Sequence, residues 1–86
     1  MTNQQEQDIV GRLRKIEGQV RGIQRMIEES RGCESVLTQL LAVRTALDRV
    51  AAQVVTAKIE ECLVSQQPEE AKAIITRAVQ LLSRTG

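Results

Sequence analysis

Between Glu34 and Val64 the chain carries two apolar rows on what reads as a single helix. Val36, Leu40, Val43, Leu47, Val50 and Val54 alternate spacings of four and three, and Leu37, Leu41, Ala51, Val55 and Ile59 form a second row beside them. One neighbouring helix covers only one such row. The segment therefore packs against another helix of its own chain and also against a further surface, most simply a second copy of itself. The 86 residues include no Phe, Tyr or Trp, so the core is built from Leu, Ile, Val, Ala and Met, which suits interlocking helices better than sheets. An all-α domain this short buries too little of its own surface to be comfortably stable alone, which again predicts an oligomer.

Two further helices complete the reading. Val10, Leu13, Ile16, Val20, Ile23 and Ile27 recur at three and four, predicting a first helix over about 5–30 that ends where Gly32 can adopt a left-handed conformation. Helix 2 is expected over about 34–64. Ser65, Gln66 and Gln67 break the pattern, and Pro68 then suits a first helical position, with Glu69 and Glu70 in the dipole-favoured first turn. A third helix over about 68–83 follows, with Ala71, Ile74, Ile75, Ala78, Leu81 and Leu82 as its apolar stripe. No linker or repeat divides residues 1–86, so one domain is expected.

The 12 Lys and Arg against 11 Asp and Glu leave a net charge of +1, so any nucleic-acid surface has to come from the placement of charges. The polar start of the chain does not read as a secretory signal, and no apolar run approaches the roughly 20 residues of a membrane span. A cytoplasmic protein is expected. In that compartment Cys33 and Cys62 read as reduced thiols available for chemistry, although free Cys also serves as a small buried hydrophobe.

The cysteines lie 29 residues apart on the predicted helix 2, about 43 Å along a straight helix. They cannot meet within one chain. If two copies of helix 2 pair antiparallel about Leu47 and Asp48, Cys33 of each subunit comes level with Cys62 of the other. Cys33 near a helix N-terminus and Cys62 with Lys58 one turn behind it favour thiolate, whereas Glu34, Glu60 and Glu61 oppose it wherever they face the sulfurs. With no histidine in the chain, a structural zinc site lacks donors. Cu(I) between two soft thiolates is the metal alternative. An enzyme is not expected, because no phosphate-binding glycine loop or paired-carboxylate constellation is present.

Arg12-Leu13-Arg14-Lys15-Ile16-Glu17-Gly18-Gln19-Val20-Arg21-Gly22-Ile23, then Cys33, then Val43-Arg44-Thr45-Ala46-Leu47-Asp48-Arg49, resembles the copper-sensitive operon repressor family, CsoR/RcnR. The resemblance implies a three-helix subunit, an antiparallel four-helix-bundle dimer, a disc-shaped dimer of dimers, and binding to operator DNA without a helix-turn-helix. Metal-sensing members carry Cys, then His, then Cys or His four residues on. Here Cys33 and Cys62 match the outer positions and Lys58 stands at the middle one. In that respect the chain resembles the dithiol, persulfide-sensing CstR-type branch more than the formaldehyde-sensing branch, whose N-terminal proline is replaced by Thr2.

The resemblance thus implies a repressor that needs no cofactor. A hydropersulfide or polysulfide would act as inducer, bridging Cys33 and Cys62 of neighbouring subunits and derepressing sulfide-detoxification genes. Cu(I) sensing at the same pair is the alternative. For DNA contact the candidates are Arg12, Lys15, Arg21, Arg44 and Arg49, with Arg14 weaker. Individually each also reads as part of a solvated helix face with pairs such as Arg21 and Glu17. A purely structural helical oligomer or adaptor is the competing class.

Overall fold

The computed structural model describes residues 1–83, except for the side chain of Leu82, and contains three helices among them: α1 Asn3–Glu28, α2 Cys33–Val64 and α3 Pro68–Ser83. Thr2 starts α1 with a capping box. Its hydroxyl accepts from the Gln5 amide at 3.1 Å, and the Gln5 side chain accepts from the Thr2 amide at 2.8 Å, which satisfies two otherwise orphaned donors.

The first helix ends two residues earlier than expected, and Gly32 is not the left-handed residue. Ser30 takes that conformation at φ 56, which lets the Arg31 amide close onto the Met26 carbonyl at 2.9 Å. Gly32 becomes the N-cap of α2 at φ −58, and Cys33 its first residue. The α2–α3 turn repeats the device, with Gln66 at φ 58 and the Gln67 amide on the Cys62 carbonyl at 2.8 Å. In both turns an orphan carbonyl finds a donor that offsets the cost of a left-handed non-glycine residue.

α1 and α2 form an antiparallel hairpin, and among the described residues α3 packs on α2 alone. The core is a single line, Ile9, Ile16 and Ile23 against Val43 and Val50, with Val36, Ala46 and Val54 packed around it. Ile9 was absent from the expected stripe. A spacing of seven keeps it in line with Ile16 and Ile23, whereas Val10, Leu13, Val20 and Ile27 lie on the flank of α1 and remain 37–60% exposed. On α2 the a/d row splits likewise: Val43 and Val50 are buried, and Leu40 and Leu47 are about half exposed along with Leu37 and Leu41 of the second row. The molecule is a slab of 53 × 30 × 13 Å, two helices wide and one thick. One flank is left broadly apolar.

α3 buries Ala71 and half-buries Ile74 and Ala78, while Ile75 and Leu81 of its expected stripe stay exposed. The side chain of Leu82, also assigned to that stripe, lies outside the described residues. No helix is long and apolar enough to cross a membrane among the described residues.

Candidate effector site and DNA-binding surface

Because α2 runs unbroken from Cys33 to Val64, it holds the two cysteines about 43 Å apart as a rigid spacer. At about 100° per residue, the 29 intervening steps bring Cys62 to within about 20° of Cys33 around the axis. Both thiols therefore occupy one stripe of α2, shared with Leu40, Arg44, Leu47, Ala51 and Lys58.

The two thiols differ in setting. Cys33 is exposed and opens α2, whose N-cap Gly32 supplies no side-chain hydrogen bond. Cys62 is buried against α3, in a small cleft with Lys58, Glu61, Gln67, Glu70 and Ile74. Burial, then the Glu70 and Glu61 carboxylates, push the Cys62 thiol up, and Lys58 opposes them only partly. Of the opposing influences on this thiol that the sequence leaves in balance, burial and the carboxylates therefore act more strongly than Lys58. The Lys58 ammonium sits 3.6 Å from Glu61, which also accepts from the Met1 ammonium at 2.6 Å. The hydrogen bond from that ammonium, followed by the charge of Lys58, holds the Glu61 carboxyl below its usual range. Glu70 is the residue the sequence reading missed. Its approach depends on the turn at Gln66, which nothing in local periodicity encodes.

Of the six basic candidates, the hairpin brings three together. Arg12 and Lys15 of α1 and Arg49 of α2 line one open groove with Asp8 and Gln19. Arg12 lies 3.4 Å from Asp8, which also accepts from the Gln53 amide at 3.2 Å, so the groove wall is braced across both helices. Lys15 and Arg49 have no carboxylate partner among the described residues. Arg21 pairs with Glu17 at 3.7 Å beside the apolar groove of Leu13 and Val20, and Arg14 shares that edge of α1 by helical position. Arg44 lies on the cysteine stripe, away from the Arg12 groove.

The glycines mark the solvent side of α1. A Cβ at Gly11, Gly18 or Gly22 meets nothing within 4 Å, so packing inside the chain gives no reason for residues that cost a helix interior about 1 kcal/mol each. Arg25 falls on the same side of α1 by helical position and was not among the candidates.

The model of the family described as "Metal-sensitive transcriptional repressor" matches residues 5–84. The chain is 42% identical over 86 aligned residues to the copper-sensing transcriptional repressor RicR of Mycobacterium tuberculosis, covering 88% of this chain and 90% of that protein. Its structure is similar to that of the copper-sensing repressor CsoR with Cu(I) from Geobacillus thermodenitrificans, with a TM-score of 0.82 and 28% identity over 96% of this chain and 91% of that one. It is also similar to the nickel-responsive transcriptional regulator InrS, with a TM-score of 0.72 and 39% identity over 83% and 89% of the two chains. The chain belongs to this family of metal-sensitive transcriptional repressors, the CsoR/RcnR family, and is not an enzyme.

Proposed function

We propose that the protein is a cytoplasmic, operator-binding homo-oligomer whose effector site is Cys33 of one subunit with Cys62 of the next, and that Cu(I) is the effector. The carrying observation is the placement of both cysteines on one face of an unbroken α2, in a chain whose similar proteins include copper-sensing repressors. Two soft thiolates suit Cu(I). Cys33 and Cys62 of one chain lie about 43 Å apart along α2, so a two-thiolate site draws its donors from two chains. Binding displaces the proton that burial retains on Cys62, which makes Cu(I) affinity rise with pH.

A second reading, sensing of reactive sulfur, is favoured by Lys58, an ion-paired ammonium at the position where metal-sensing members are expected to carry a histidine donor. In it the exposed Cys33 thiolate attacks the sulfane sulfur of a hydropersulfide and releases a thiolate. The Cys62 thiolate of the partner subunit then attacks the Cys33 persulfide and expels hydrosulfide, leaving an intersubunit disulfide. Both thiols are oxidised and the sulfane sulfur is reduced. A longer polysulfide donor leaves a tri- or tetrasulfide.

The operator surface in either reading is the groove of Arg12, Lys15 and Arg49, repeated by symmetry in a dimer of dimers, with Arg14 and Arg21 along the opposite edge of α1. The glycine side of α1 suits close approach of a phosphate backbone. A mobility shift on the protein's own promoter, run anaerobically with Cu(I) or with polysulfide beside intact mass, tests the two readings. Release by Cu(I) without a covalent species supports the metal reading. A cross-linked, sulfur-bearing dimer that releases DNA supports the sulfur reading. Release of a Cys33→Ala variant by either agent overturns the shared site.

A further inference from the structure

The stripe that carries both cysteines also carries the one charged residue at its centre, Arg44, and a neighbouring carboxylate, Asp48. Both are exposed, and neither has an ion-pair partner among the described residues of the single chain. Around them the stripe is aliphatic, with Leu37, Leu40, Leu41 and Leu47 each 45–51% exposed. An unpaired arginine in the middle of such a surface is costly if the surface is covered by apolar groups alone.

A two-fold axis between Leu47 and Asp48, the pairing on which the proposed effector site rests, makes the stripe self-complementary. It sets Leu40 level with Val55 of the partner subunit and brings Leu47 beside Leu47 of the partner subunit across the axis. At these positions apolar residue meets apolar residue. In the same register Arg44 lies level with Ala51 of the partner subunit, whose methyl leaves room for the arginine stem. Asp48 of the partner subunit is then three residues away, about 4.5 Å along the axis, within the span of an extended arginine.

We infer that Arg44 belongs to the subunit interface, paired with Asp48 of the partner subunit twice across the two-fold, and that this pair of ion pairs fixes the register of α2 against α2. Aliphatic stripes of this spacing still bury apolar surface after a slip of seven residues, but such a slip moves each Cys33 about 10 Å from its opposite Cys62. A slip also strands the two charges. An effector site divided between chains needs one register, and charges within an apolar seam supply it at the expense of some stability.

The test is charge reversal with complementation. Arg44→Asp and Asp48→Arg each place like charges across the two-fold, and each of the two contacts is expected to weaken association on the order of tenfold, about hundredfold per dimer. In an equimolar mixture the heterodimer has opposite charges across the interface but like charges within each chain, so only an intersubunit pair can be rescued by mixing. Sedimentation is expected to show dissociated single variants and a mixture restored to near wild-type association. Wild-type association of either variant alone, or a mixture that stays dissociated, overturns the inference, as does an Arg44→Ala variant that loses operator affinity with undiminished dimerisation. Rescue without a Cys33 to Cys62 cross-link in the wild type removes the effector-site reading and leaves the ion pair standing. Cross-linking without rescue does the reverse.

Discussion

Oxidising the reduced protein with diamide discriminates between every arrangement of its two thiols. A disulfide needs Cα atoms about 6 Å apart, and the unbroken α2 holds Cys33 and Cys62 of one chain about 43 Å apart. An intrachain bridge would require most of α2 to unfold. In the antiparallel pairing, each Cys33 faces a Cys62, so the wild type is expected to give a dimer with two bridges on a non-reducing gel. Cys33→Ala alone leaves two Cys62 residues about 43 Å apart, and Cys62→Ala leaves two Cys33 residues at the same separation. Neither is expected to cross-link. Mixed and reassociated, the two variants form a heterodimer with one competent pair, so about half of the dimers are expected to carry a single bridge by random pairing of subunits. Peptide mass mapping identifies the bridge. A monomeric band containing a Cys33 to Cys62 disulfide, or a Cys62 to Cys62 dimer forming as fast as the wild-type bridge, would refute the geometry.

Arg49→Ala is expected to weaken operator binding and to reduce the slope of log affinity against log salt by about 0.9 for each subunit that touches DNA; an unchanged slope removes the Arg12 groove from the interface. Ile9→Ala, at a position 7% exposed in the hairpin core, is expected to cost about 2–5 kcal/mol in urea unfolding. Leu47→Ala should instead act on the dissociation constant of the dimer, since Leu47 is 45% exposed in the single chain. Alkylation of Cys62 is expected to have a pH midpoint above that of an unperturbed thiol, because burial and the nearby carboxylates favour the protonated form. Glu70→Gln lowers that midpoint and Lys58→Ala raises it; identical profiles for all three proteins would show that α3 does not influence the thiol.

The sequence by itself determined the class of fold, the approximate limits of three helices and the fact that one chain cannot cover its own apolar surface. Those are local properties, carried by the spacing of Val, Leu and Ile and by Pro68 at the start of α3. The separation of Cys33 from Cys62 also follows from residue count once α2 is helical. Tertiary structure decided which side of each stripe is core: Ile9 rather than Val10 lies inward, because helix packing selects the line of residues facing α2 and not the most hydrophobic stripe. It decided that Ser30 and not Gly32 closes α1, since the carbonyls requiring donors lie where the helix stops. It sorted the arginines as well. Arg12 and Arg49, 37 residues apart in sequence, meet across the hairpin, while Arg44, only five residues before Arg49, faces elsewhere because five steps turn a helix through about 140° beyond a full turn. The surroundings of Cys62 depended on the fold most of all: Glu70 reaches it through the left-handed turn at Gln66, and burial against α3 outweighs the nearby lysine.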